Sequence, residues 1–234
     1  MTILAIDTSN YALGVALLEN GLVLGEYITN LKKNHSVRIM PAIQTLMKDC
    51  ERVPADLTKI VVAKGPGSYT GVRIGVTIAK TLAWTLNLPL VGISSLEVIA
   101  GTGRHFDGLV SPIVDARRGQ AYTGLFQFTN SNPVPVEQDQ LVMVADWAEK
   151  LKETSKQILF IGNDLQIHRA AIAEILGSQA EFAALTEHNP RPSELALLGG
   201  DKQGEDIHSF VPNYIRLAEA EAKWLESKGK ILNG

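Results

Sequence analysis

The sequence predicts a two-lobed α/β protein whose plan runs twice. Two apolar runs, Ile3–Ile6 and Leu109–Val114, each end at an aspartate, Asp7 and Asp115, and each leads through a short turn into a second strand-like run. Runs of strand length alternate with segments of helical spacing, the pattern of sheets covered by helices. At 234 residues, 45% hydrophobic and 20% charged, the chain has the length and the apolar content for two compact lobes. The break falls near Gly101–Gly108, giving an N-terminal lobe over 1–104 and a C-terminal lobe over 105–234.

The elements follow in order. After the first run, Ala12–Glu19 and Leu22–Ile28 flank Asn20-Gly21, a two-residue hairpin signal, so three antiparallel strands open the chain. His35–Cys50 places apolar residues at 39, 40, 43, 46, 47 and 50, which predicts a helix, with Pro41 kinking it or delaying its start. Strand Ile60–Ala63 leads into a glycine-rich phrase, Gly65-Pro-Gly-Ser-Tyr-Thr-Gly-Val-Arg-Ile-Gly75, and a helix over 72–87 that Ser68 or Thr70 can cap. A strand at Leu90–Ile93 and a short helix at Ser95–Ala100 close the first half. In the second half, strand Ala121–Phe128 precedes a Pro-rich connection over Asn132–Val136, then a helix near Asp146–Leu151 and a strand at Gln157–Gly162. The helix Leu165–Leu176 stops at Gly177, Ser193–Leu198 is helical, and Leu217–Lys228 reads as a charged closing helix.

Bulk properties exclude several classes. A net charge of −3 and a pI near 6.0 argue against a free-standing nucleic-acid binder, though not against a protein that works beside one. Cys50 is the only cysteine, so no intrachain disulfide forms and a reducing compartment fits. No run is long enough to span a bilayer and no leader pattern precedes the first strand, so the expectation is a cytoplasmic protein without a membrane. The five histidines lack metal-ligand spacing and no G-x-S-x-G elbow occurs, so neither a metal nor a serine nucleophile is expected.

The candidate chemistry lies in two places. The glycine phrase follows a strand and opens a helix, a geometry that suits an anion, but it fits neither of the familiar phosphate-loop spacings. Asp7 with Thr8 and Ser9 can hold a metal-bound phosphate or simply cap its own turn. Asp-ended strands in duplicated lobes resemble the actin, Hsp70 and sugar-kinase fold, where two such turns grip nucleotide phosphates. Here the second turn reads Asp115-Ala-Arg-Arg118 with glycine delayed to 119, which departs from that clamp, so Asp7, Thr8 and Ser9 remain weak candidates and no cofactor is expected. Along the helix over 72–87, Gly71, Gly75, Ala79 and Ala83 trace a stripe of small residues, and the helix is apolar nearly all round. Such a helix is covered either by its own chain or by another subunit.

The glycine phrase with Ala79-Lys80-Thr-Leu-Ala83, the opening Leu4-Ala-Ile-Asp-Thr-Ser9, His35-Ser36, Ile93-Ser-Ser-Leu-Glu97 and Asp115-Ala-Arg-Arg118 together resemble the signature of the TsaB (YeaZ) family. Tyr214-Ile-Arg216 with Ala220-Glu221 is similar to that family's closing motif. The resemblance implies a duplicated actin-like (ASKHA, ribonuclease H-like) fold and a non-catalytic scaffold role in bacterial tRNA threonylcarbamoyladenosine synthesis. It implies direct pairing with and activation of TsaD, contact with the ATPase TsaE and with tRNA through that complex, and a possible homodimer. TsaD carries a metal-binding Asn-His-x-x-x-His after the next strand, where this chain has Ser94-Ser-Leu-Glu-Val-Ile99, so both histidine positions, Ser95 and Ile99, lack an imidazole. The family's dimerisation helices correspond to 35–50 and 72–87, which implies an interface drawn from His35, Ile39, Ile43, Met47, Gly71, Arg73, Gly75, Val76, Ala79, Lys80 and Ala83. A stand-alone actin-fold ATPase or small-molecule kinase, and a peptidase, are the competing readings.

Overall fold

A computed structural model describes residues 1–31 and 34–215. The helix expected over Leu217–Lys228 and the Ala220-Glu221 end of the closing motif lie outside the described residues. Strands β1 (Thr2–Asp7), β2 (Leu13–Glu19) and β3 (Leu22–Thr29) form the expected meander, with Asn20 and Gly21 at positive φ in the turn. Helix α1 (His35–Asp49), strand β4 (Lys59–Ala63), helix α2 (Tyr69–Leu86), strand β5 (Leu90–Ile93) and helix α3 (Ser95–Gly101) complete the first half. The sheet order is β3-β2-β1-β4-β5, with β1, β4 and β5 parallel.

The second half repeats it. Strands β6 (Leu109–Pro112), β7 (Val114–Arg117), β8 (Gln120–Thr129) and β9 (Asn132–Met143) are followed by helix α4 (Val144–Leu151) and strand β10 (Ile158–Ile161). Helix α5 (Leu165–Leu176), strand β11 (Ala180–Phe182) and helix α6 (Pro192–Gly200) complete the described elements. Here β9 pairs β8, β8 pairs β6, and β10 and β11 run parallel beyond β6, so the strand path of the first sheet recurs. This is the duplicated actin-like architecture that the sequence predicts.

Alternation along each strand builds five layers. Leu4, Ile6, Leu13, Val15, Ile60 and Val62 face α1 and α2, whereas Ile3, Ala5, Ala16, Val61 and Ile93 face Leu195 and Ala196 of α6 and Val98 of α3. In the second sheet, Ile113, Leu125, Ile158 and Phe160 meet α4 and α5, while Val110, Phe126 and Ile161 meet Leu96, Ile99 and Ala100 of α3. Each half therefore sends its last helix into the layer between the sheets. Helix α6 sits so close to the first sheet that a Cβ on Gly199 would lie 2.4 Å from a methyl of Val61. Glu26 on β3 fastens its start, accepting hydrogen bonds from the Ser193 backbone at 2.9 Å, from the Ser193 hydroxyl at 2.8 Å and from Arg191.

Several elements differ from expectation. The Pro-rich connection is the start of the long strand β9, because Pro133 and Pro135 lie on a strand that pairs on one side only and need not donate on the other. The run Leu109–Val114 breaks at Ile113 into β6 and β7. Pro41 lies inside a helix that has already begun six residues earlier, with Asn34 capping the Ser36 backbone N–H at 3.0 Å. Helix α2 starts three residues before the predicted position, behind a Ser68 cap, and ends on Asn87 in the left-handed conformation.

Candidate functional site

The turn after β1 is folded against the start of α2. Ser68 donates its N–H to the Ser9 carbonyl at 2.7 Å, and the Thr8 hydroxyl donates to the Gly71 carbonyl at 2.7 Å. Glycine permits this approach: a Cβ on Gly67 would lie 2.2 Å from the Ser9 carbonyl oxygen, one on Gly71 2.1 Å from that of Thr8, and one on Gly75 2.5 Å from the Thr8 hydroxyl. The glycine phrase therefore serves backbone packing between β1 and α2. The N–H groups of Ser68 and Gly71, which the sequence offers to an anion, bond Ser9 and the Ser68 hydroxyl instead.

Asp7 lies beneath that turn, 1% exposed. Its Oδ1 accepts from the Ser9 N–H at 2.8 Å and the Ser9 hydroxyl at 2.7 Å, while Oδ2 is buried without a partner. Burial pushes the carboxyl above its ordinary value, against the opposing pull of the Ser9 bonds and of His35. His35 Nε2 lies 3.0 Å from the Asn10 carbonyl, which can only accept, so that nitrogen carries the proton. The first of the two aspartate turns is thus a closed loop, with one carboxylate oxygen sealed in it unpaired.

The second turn opens onto a cleft between the sheets, with a cavity of about 750 Å³. Asp115 at its wall is hydrogen-bonded through Oδ1 to His168 Nε2 at 2.9 Å, and its own backbone N–H donates to Asp164 at 3.1 Å. Burial, and the charge of Asp115, raise the Asp164 carboxyl, while the Asp115 N–H and His168 oppose the rise. Arg117 and Arg118 project at the rim from a left-handed turn, φ 67° and 56°. Four of the five tyrosines, Tyr11, Tyr69, Tyr122 and Tyr214, line the same cleft. The rings of Tyr69 and Tyr214 lie 5.1 Å apart, the Arg73 guanidinium stacks 4.1 Å over Tyr69, and Arg73 Nε donates to the Tyr214 hydroxyl at 2.7 Å. Among the described residues no three histidine, cysteine, aspartate or glutamate side chains form a metal-binding group.

The residues expected at a partner interface lie mostly on the inward side of their helices. Ile39, Ile43, Met47, Gly71, Gly75, Val76, Ala79 and Ala83 are buried within the chain's own first layer, where the sheet leaves room only for small side chains on α2. His35 is tied to the first turn, Arg73 to Tyr214, and Lys80 to the Phe210 carbonyl at 2.7 Å. The outward faces of the two helices carry other residues: Trp84 is 69% exposed, Val37 68% and Met40 36%, with Ile74, Ile78 and Leu82 half-buried beside them. Helical phase places Trp84 off the small-residue stripe, and that phase was the one signal for it. The cleft tyrosines carry no such signal, since they are scattered from position 11 to 214.

Comparison with known proteins settles the family. The sequence model of the TsaD family, tRNA N6-adenosine threonylcarbamoyltransferase, matches residues 23–224. The tRNA threonylcarbamoyladenosine biosynthesis protein TsaB of Bacillus subtilis is 61% identical over 97% of this chain and 100% of its own length. This chain belongs to the TsaB family, within the wider TsaD group. TsaB of Escherichia coli is 31% identical over 71% of this chain and 73% of its own. Among solved structures, YeaZ from Pseudomonas aeruginosa superposes with a TM-score of 0.78 at 23% identity, over 91% of this chain and 99% of that one, a likeness of fold. Ser95 and Ile99, which the resemblance sets against TsaD's histidines, are taken up by packing: Ser95 is fully buried and accepts from the Gly65 N–H at 3.2 Å, and Ile99 packs against the second sheet. No described helix is long and apolar enough to cross a membrane.

Proposed function

We propose that this chain is the non-catalytic partner of a TsaD-type transferase, which it pairs with and activates in placing threonylcarbamoyl on the tRNA adenosine beside the anticodon. The observation that carries the reading is the apolar outer face of α1 and α2, with Trp84, Val37 and Met40 standing in solvent on helices whose other side is spent on the sheet. An exposed apolar patch on a layer of this kind marks a protein contact. Ser95 and Ile99 support the non-catalytic part, because neither can replace an imidazole at a metal and both are consumed by packing. TsaE then meets the chain through the assembled complex, which also brings tRNA to it, and a second copy of the chain competes for the same face when TsaD is absent.

The test is direct. The purified chain, mixed with the TsaD of the same organism, forms a complex that elutes as one species and raises threonylcarbamoyl transfer. Trp84→Glu puts a charge on this face and weakens that complex about tenfold or more, with an unchanged melting temperature because the ring is already in water. Absence of a complex with the native chain overturns the reading, and a Trp84→Glu variant that pairs normally moves the interface elsewhere.

A further inference from the structure

The cleft between the sheets has carboxylate and amide oxygens on its walls and aromatic rings at its mouth. On its first-sheet side two of the loop donors are spent, since Ser68 N–H bonds Ser9 and the Gly71 N–H bonds the Ser68 hydroxyl. On its second-sheet side Asp115 and Asp164 present negative charge and acceptor oxygens. Asn10 lines the same cleft, 8% exposed. Its amide nitrogen donates to the Ser9 hydroxyl at 3.0 Å, while its side-chain oxygen has no partner. A buried acceptor left open in this way asks for a donor. Around the mouth, Tyr11 is 47% exposed, Tyr69 40% and Tyr214 37%, so part of each side chain stands in water. Arg73 stacks on two of them, and Arg117 and Arg118 stand at the rim.

We infer that this cleft seats an unpaired nucleobase of an RNA loop, stacked at the Tyr69–Tyr214 pair, with an exocyclic amine turned toward the acceptors of Asn10 and Asp164 and the adjoining phosphodiester near Arg117 and Arg118. Aromatic faces with neighbouring arginines are the standard means of holding a splayed-out base, and they leave a duplex unrecognised. The acceptor oxygens of Asn10 and Asp164 favour adenine, cytosine or guanine over uracil, which has no exocyclic amine. The inference rests on the reading of the chain as part of a tRNA-modifying complex. It adds a direct RNA contact that the net charge of −3 conceals.

A short RNA stem-loop with 2-aminopurine in its loop is titrated into the full-length chain, alone and with its TsaD partner, and compared with a fully paired duplex and with AMP. The loop binds at least ten times tighter than the duplex, and Tyr69→Ala and Tyr214→Ala each weaken it about tenfold or more. Tyr69→Phe keeps the stacking face and binds like the native chain, and a loop of uracils alone binds more weakly. Melting temperatures check each variant, and Tyr11→Ala, at a ring outside the Arg73 cluster, replaces any that unfolds. Equal binding of loop and duplex, native affinity in the alanine variants, or binding of AMP with none of the loop overturns the inference. Complex formation with TsaD, followed in the same samples, separates the outcomes: an intact complex without a loop signal removes the cleft site and leaves the proposed function standing.

Discussion

At the scale of single residues, Asp7 illustrates how far a motif can be read. Its place after an apolar run was legible, but its environment was not, because burial of Oδ2 depends on the start of α2 and on His35, both distant in sequence. The raised carboxyl has a consequence for stability. In the unfolded chain the group titrates near 3.8, and in the folded chain it keeps its proton to higher pH, so the folded state binds more protons in that window. Its contribution is therefore fully present below 3.8 and is lost as pH rises through the folded value. Asp139 and Asp164, both raised chiefly by burial, act in the same direction. The Asp7→Asn variant, which keeps the Oδ1 acceptor for Ser9 and loses the charge, melts above the native chain at pH 7, with a gap that shrinks toward pH 4. Thermal unfolding across that range measures it, and a gap that stays constant with pH refutes the buried charge as its cause.

At the scale of elements, periodicity located most helices and strands, and its failures have physical reasons. Strand β9 was hidden because prolines are tolerated where a strand pairs on one side only, and β11 is three residues long, too short to show a period. Helix α2 shows the deeper limit: its stripe of small residues signals a close approach, but the sequence does not say to what. The approach is to the Thr8 turn and to Val62 of β4, inside the same layer. Ala79→Leu, at a fully buried position, therefore overpacks that layer and costs about 1–3 kcal/mol of stability. Gly75→Ala acts similarly through the Thr8 hydroxyl. Denaturant unfolding checks both, and a native midpoint for Ala79→Leu with a lost complex returns the stripe to an intermolecular face.

At the scale of the whole molecule, the duplication was visible in the two Asp-ended runs, but the way the halves are joined was not. Helix α6 comes from the end of the chain and covers the inner face of the first sheet, and the segment after it continues along the edge of that sheet. Glu205 donates its N–H to the Leu90 carbonyl at 2.8 Å and accepts the Gly92 N–H at 2.9 Å. Beyond it, Phe210 is buried over Gly92, and the Asn213 N–H bonds the Lys64 carbonyl at 2.6 Å. A cut near residue 104 therefore separates the two sheets without separating two cores. Expressed alone, residues 1–104 keep α3 but lose Leu195 and Ala196 of α6 from over Ile3, Ala5, Ala16, Val61 and Val91, leaving an exposed apolar surface of the kind that drives aggregation. That fragment is expected to be insoluble, or to bind a hydrophobic dye and lack a cooperative thermal transition, and co-expression with residues 105–234 restores soluble protein that co-purifies as a pair. The fragment's circular dichroism melt decides the matter. A sharp transition for residues 1–104 alone means that the first sheet holds together without α6, and the cross-covering layer then contributes orientation between the lobes but not their folding.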